Sequence, residues 1–495
     1  MIRDYVPQLA FALLVGCGTE PLDQDVSEDT TGTEDTTTTE GPSGSTSEAE
    51  PGEAVCCGCL CVDARWSCSA ETCVDADGLA VDTRAEAGFY ELPPTEAALD
   101  GRGYTAPKVR MWYAFQPARE APEQAPLLVF TNGGPGAATT SGLLSMNVGE
   151  RRVDTEVVPP VVESNPDAWT RFANLLFVDA RTAGFSYQWP SDSPEHHHVD
   201  QDAADVLRVT LRFIESHPLI RAERVVFVGE SYAGLRLAAL ASIVWDQEAL
   251  STGHGPDGFV DAELQRMLQA SSQDRFSEFV TIQGTLVSDL QEGEFSCPTA
   301  FADPYACNHP AGDSDRRFEA TSQVVVVPEQ LAELTGVDVS GIEWMYAEHR
   351  EQAARRFGTG PDNAPMEPVF GEQPRNRPYF LRVSIPESFS TDFIEGHLGA
   401  RFLDALPHTR WMLTDARQDR VVVVPAALEA LYRDFPERLT GAYQLDDEVV
   451  RFEFVDGSTR DLFVPVYEDA GHAVPAYAPT AIRNDVERWL GGDAP

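Results

Sequence analysis

Lysine is almost absent from this chain. Of its 495 residues only Lys108 is lysine, and arginine supplies the rest of the 36 basic side chains against 80 Asp and Glu. A formal net charge of -44 repels polyphosphate, so nucleic acid is a poor partner. Such acidity favours solubility and implies no particular chemistry. Positive charge vanishes entirely between Gly18 and Ala54, where apolar residues are also scarce. A segment with so little to bury reads as a disordered, self-repelling spacer. Long hydrophobic runs are missing too. The run Leu9 to Val15 is too short to span a bilayer, and no later segment is long and apolar enough to do so. No internal repeat is visible, which sets solenoids and propellers aside.

What is present begins with an export pattern. Arg3 forms a thin basic region, partly cancelled by Asp4, ahead of an apolar stretch ending near Gly16. Leu14-Val15-Gly16-Cys17 resembles a bacterial lipobox, in which Cys17 would be lipidated; a simple cleaved signal is the alternative. The expected location is therefore exported, anchored to the cell envelope by lipid alone, or secreted. Cysteine number agrees with this. The chain has 9 cysteines, and setting Cys17 aside leaves Cys56, Cys57, Cys59, Cys61, Cys68, Cys73, Cys297 and Cys307. Four disulfides are expected in an oxidising compartment, with a thiol-bound metal cluster at Cys56–Cys61 as the rival. The expected divisions are a signal at 1–16, a spacer at 17–54, a Cys-rich segment at 55–78 and a large domain at 79–495.

In that large domain short apolar runs alternate with helical stretches. Leu127–Phe130, Leu175–Val178, Val225–Val228, Phe279–Ile282 and Trp411–Leu413 are expected strands. Helices are expected over Gln201–Ser216 and Leu235–Trp245. This rhythm predicts an α/β fold with a mostly parallel sheet and function at the strands' carboxyl ends. It breaks down over about 246–409, apart from helical pieces such as Ile342–Phe357, and that region is expected to be an inserted cap.

The run Val225-Val226-Phe227-Val228-Gly229-Glu230-Ser231-Tyr232-Ala233-Gly234 places one serine in a small-residue turn between strand and helix. A hydroxyl there is exposed at a sharp bend, with helix amides aimed at any developing anion. The strict G-x-S-x-G spacing is broken, because Ala233 stands two after the serine. A serine nucleophile needs an imidazole to take its proton and a carboxylate to hold that imidazole. His472, in a loop after the apolar run Leu462–Val466, is the expected base. Asp419 is the favoured acid and Asp415 its rival, both after strand Trp411–Leu413. A second glycine-rich turn, Asn132-Gly133-Gly134-Pro135-Gly136, could bring backbone amides close to an oxyanion.

Together these elements resemble the serine carboxypeptidase family of α/β-hydrolases. The matching residues are Asn132–Gly136, Asn165-Pro166 with Trp169, Ala173–Asp179, Gly184–Tyr187, Gly229–Gly234, and Gly471-His472 with Pro475. The resemblance implies a peptide substrate, no cofactor and a Ser231, Asp419, His472 triad. It also implies oxyanion amides from Gly134 and Tyr232, with Asn132 and Glu230 on the substrate's terminal carboxylate. Glu230 can donate to a carboxylate only when protonated, so an acidic optimum is expected. Several positions depart from the family. Its second glutamate corresponds to Met146, its cysteine after the glycine-rich loop to Ala137, and the segment after Asp179 is one residue short. Losing that like charge predicts weaker carboxylate binding or a narrower acidic range. A proline iminopeptidase-like or esterase-type hydrolase and an inactive surface binding protein are the competing readings. His196-His197-His198 reads as a solvated loop rather than a metal site.

Overall fold

The computed structural model describes residues 84–284, 328–337 and 398–494, less the stretches 100–101, 134–136, 155–160, 190–197, 255–257 and 420–421 and a few single positions. It also gives two small hairpins, Val55–Cys56 with Cys59–Leu60 and Ser67–Ser69 with Thr72–Val74. The expected signal, spacer and lipidated Cys17, the cysteine side chains of 55–78, Cys297, Cys307 and the piece at 342–357 lie outside the described residues.

A twelve-stranded sheet organises the rest. Its strands include β1 (Glu86–Leu92), β2 (Lys108–Gln116), β3 (Leu127–Thr131), β4 (Asn174–Val178), β5 (Tyr187–Trp189) and β6 (Val225–Glu230). Next come β7 (Glu278–Ile282), β8 (Arg410–Leu413), β9 (Leu439–Thr440), β10 (Val449–Phe454) and β11 (Thr459–Phe463). The order is β5-β2-β4-β3-β6-β7-β8-β11-β10-β9, with β1 paired to β2. From β4 to β11 every neighbouring pair is parallel, and antiparallel strands flank this centre. This is the α/β-hydrolase arrangement.

The central strands read as unbroken apolar runs because both faces are covered. Along β3, Leu127 and Val129 face one core while Leu128 and Phe130 face the other. Val225 and Phe227 divide from Val226 and Val228 in the same way along β6. The first face is covered by α1 (Val199–Ser216), α2 (Ala233–Trp245), α3 (Ala262–Gln269), α5 (Leu398–Ala405) and α6 (Val424–Asp434), with α4 (Pro328–Thr335) set apart. The second face is covered by Trp169, the short helix α7 (Val474–Tyr477) and α8 (Pro479–Gly491).

One boundary needs correction. The span 246–409 begins and ends in the scaffold rather than in a cap. β7 sits at the centre of the sheet, and Leu398 and Phe402 of α5 join the core against α2. Residues 285–327 and 338–397 of that span are outside the described residues.

Candidate active site

Ser231 stands at the carboxyl end of β6, immediately before α2. Its φ of +58° lies in the left-handed region, unusual for any residue with a Cβ. The bend is pinned by Ser231 N donating to Ile282 O at 3.1 Å and Gly234 N donating to Ser231 O at 2.9 Å. Two glycines make it sterically possible. A Cβ at Gly229 would lie 2.9 Å from Ala233 Cβ, and one at Gly133 only 2.5 Å from Glu230 O and 2.6 Å from Tyr232 N. The Asn132 loop therefore presses main chain against main chain beside the serine. Because glycine adopts positive φ freely, Ser231→Gly should be more stable than Ser231→Ala by about 1 kcal/mol. Denaturant midpoints of the two variants check this, and equal midpoints would contradict the strain.

His472 lies on a loop zipped to the Asp419 loop. Asp415–Ala416 pairs in parallel with Val466–Tyr467, and Arg417 N and Gln418 N donate to Tyr467 O and Ala470 O, each at 3.0 Å. That register brings Asp419 Oδ2 to 2.7 Å from His472 Nδ1, with the Asp419 side chain fully buried. Val422 N donates to the other carboxylate oxygen at 3.2 Å. Asp415 instead lies 3.0 Å from Arg417 Nη1. The His472 loop is also held from beyond by Asn147 Nδ2, which donates to Pro475 O at 3.0 Å.

Burial pushes the His472 imidazolium down, but the Asp419 carboxylate on Nδ1, with help from Glu230, outweighs it and raises the pKa above the usual histidine value. Glu230 behaves in the opposite sense to an ordinary acid. Burial lifts its carboxyl to about 7, against the pull of His472 and the Asn132 amide. One oxygen accepts from Asn132 Nδ2, and the other, Oε1, is buried with no hydrogen-bond partner among the described residues. Met146 is buried as well and carries no charge, and the Asp419 carboxylate adds to the effect of burial on Glu230. Burial thus does what a like-charge neighbour would have done.

Asn132 is held on every polar atom. Its N donates to Thr139 Oγ1 at 2.9 Å, its Oδ1 accepts from Leu143 N at 2.9 Å, and its O accepts from Arg236 Nη1 at 2.8 Å. A Cβ at Gly142 would strike the Asn132 side chain at 2.2 Å, so only glycine fits there. Asp179 braces the same loop through Thr140 N and Oγ1, both at 2.9 Å, and Phe185 N at 3.0 Å.

Of the residues expected from sequence, Asn132 meets Glu230 beside Ser231 and Tyr232, Asp419 meets His472, and the charges of His472 and Glu230 act on one another, whereas Gly134 lies outside the described residues. His198 caps α1 by accepting from Asp200 N at 3.2 Å, and His196 and His197 are outside the described residues. Arg236, Thr139 and Asn147 carry no local sequence signal. Their partners lie 104, 7 and 328 positions away.

Comparison with known proteins bears on the first half of this site. Residues 99–255 match the model of the family described as serine carboxypeptidase. A serine carboxypeptidase-like 31 of Arabidopsis thaliana is 32% identical over 137 residues, 28% of this chain and 27% of its own. A pheromone-processing carboxypeptidase of Uncinocarpus reesii is 31% identical over 125 residues, 25% of this chain and 19% of its own. The matched part thus spans about a quarter of the length of these relatives. Among solved structures, a prohormone-processing carboxypeptidase from Saccharomyces cerevisiae has a TM-score of 0.42 at 16% identity, covering 82% of this chain and 91% of that one. The family match includes Asn132, Glu230 and Ser231 but stops before Asp419 and His472.

Proposed function

We propose that this chain is a serine-type carboxypeptidase that releases C-terminal residues from peptides through an acyl-enzyme on Ser231. The observation that carries the reading is the buried 2.7 Å contact of His472 Nδ1 with Asp419, which follows the carboxyl end of β8 as Ser231 follows that of β6, together with the Asn132–Glu230 pair beside Ser231. In this reading His472 takes the Ser231 proton as Oγ attacks the scissile carbonyl. The amides of Tyr232 and Gly134 receive the oxyanion. Collapse of the adduct passes the proton to the leaving amine and frees the C-terminal amino acid. Water, deprotonated by the same imidazole, then hydrolyses the acyl-enzyme.

Asn132 and protonated Glu230 would donate to the substrate's terminal carboxylate. Glu230 and His472 titrate together, because a Glu230 charge favours the imidazolium. Once Glu230 is protonated, His472 gives up its proton more readily. Protonation of Glu230 thus favours both acceptance of a free carboxylate and the neutral imidazole that would activate Ser231. The esterase reading lacks a use for Asn132 and Glu230, which favours the exopeptidase.

The test is C-terminal residue release from an N-blocked dipeptide, followed across pH. A carboxyl with a raised pKa is the protonated donor below about 7 and loses that form as pH rises. KM at pH 8 should therefore be about tenfold above KM at pH 6. In Glu230→Gln, whose amide donates at every pH, KM should vary by less than about twofold over the same range. Release of the N-terminal residue instead, or a KM indifferent to pH in the parent, would overturn the assignment.

A further inference from the structure

Three aspartates in the first half of α1 each meet a buried arginine from a different part of the chain: Asp200 meets Arg401, Asp202 meets Arg236 and Asp205 meets Arg181. The Arg401 pair ties α5 to the helix layer, and the Arg181 pair holds the loop after β4. The Arg236 pair is different, because it ends on the site itself. Arg236 lies on α2, five positions after Ser231, and its side chain is 1% exposed. Nε donates to Asp202 Oδ2 at 2.7 Å, and Nη1 donates to the main-chain oxygen of Asn132 at 2.8 Å. The same Asp202 oxygen accepts from Tyr232 OH at 3.2 Å, and the guanidinium carbon lies 5.3 Å from the centre of the Tyr232 ring.

One guanidinium therefore packs over the Tyr232 ring and holds the Asn132 main chain. It steadies Tyr232, which follows Ser231 in the chain, and Asn132, which faces it from the adjacent loop. A trans peptide sets its N–H antiparallel to its C=O. Holding the Asn132 oxygen on Arg236 accordingly turns the Gly133 N–H away from α2 and fixes the peptide plane from which the Asn132 side chain reaches Glu230. We propose that Arg236 is a positioning residue: a charged strut from the nucleophile's own helix that aims Asn132 and so governs how well the site accepts a free C-terminal carboxylate. This rests on the carboxypeptidase reading above.

The fork matters more than the charge. Two donors in fixed geometry let arginine serve Asp202 and Asn132 at once, whereas a lysine ammonium is a single compact centre. Arg236→Lys keeps a cation beside Asp202 and gives up the strut. Removing the cation alone would strand a carboxylate that is mostly buried, so the companion variant is the double Arg236→Met, Asp202→Asn.

The experiment compares two substrates sharing one acyl residue: an N-blocked dipeptide with a free carboxylate, and an N-blocked p-nitrophenyl ester without one. In Arg236→Lys the KM for the free acid should rise about tenfold, the size of one lost charge-assisted hydrogen bond. The rise in KM for the ester should be at least fivefold smaller, and the double variant should repeat the split. Equal losses on both substrates, or no change on either, would overturn the inference while leaving the parent a carboxypeptidase. A parent that fails to cleave the free acid would overturn both.

Discussion

Replacing Ser231 by alanine is expected to lower kcat for peptide hydrolysis by about 10⁵- to 10⁶-fold, with the thermal midpoint little changed. A serine hydroxyl becomes an effective nucleophile only through its base, and the base works only through a hydroxyl, so the two act as one unit. His472→Ala should accordingly cost about as much as Ser231→Ala, and the double variant little more than either alone. Fluorophosphonate labelling gives an independent readout: the parent should be modified at Ser231 and neither single variant should react. This result also separates an enzyme from a binding protein on a spent hydrolase scaffold, since fold alone does not fix activity. Activity in Ser231→Ala above about one per cent of the parent would place the chemistry elsewhere.

Much of this arrangement was legible because the local sequence has only one way to satisfy it. Four apolar residues followed by Gly229-Glu230-Ser231-Tyr232-Ala233-Gly234 fit a buried strand, a cramped bend and a helix, and the bend is where φ turns positive. The strand runs at 127, 174, 225, 278 and 410 are readable because parallel strands covered on both faces are mostly apolar. Half-exposed strands give no such signal: β1 and β10 lie toward the sheet's flanks and mix buried with exposed positions. The cap boundary differs for a related reason. The rhythm breaks over about 246–409, yet β7 lies inside that span and α5 returns to the core before β8 begins.

The site divides the same way. Asn132 and Glu230 have meaning only as a pair 98 positions apart, and it was resemblance rather than spacing that joined them. The raised pKa of Glu230 depends on burial, which Met146 at the position of a missing charge could not reveal in advance. Arg236 sits in an apolar helix where an arginine reads as an oddity, and its purpose appears only with Asp202 and the Asn132 oxygen beside it.

The choice between Asp419 and Asp415 gives the second large expected effect. Asp419→Asn should lower kcat by about 10³- to 10⁴-fold, whereas Asp415→Asn should change it by less than about threefold. An amide of the same shape at 419 no longer demands an N–H on His472 Nδ1, so the ring can take the tautomer that fails to accept from Ser231. At 415 the carboxylate lies against Arg417, and its loss is felt there as stability rather than rate. The two roles also differ in pH dependence. Asp419 is the chief influence opposing the burial of His472, so removing its charge lets burial dominate and the imidazole loses its proton at lower pH. In the proposed mechanism the neutral ring is the base, so the acidic limb of residual Asp419→Asn activity should move to lower pH than in the parent. An ester lacking a carboxylate is the substrate for this measurement, because Glu230 then has no part in binding. An acidic limb that stays fixed in Asp419→Asn but shifts in Asp415→Asn would reverse the assignment.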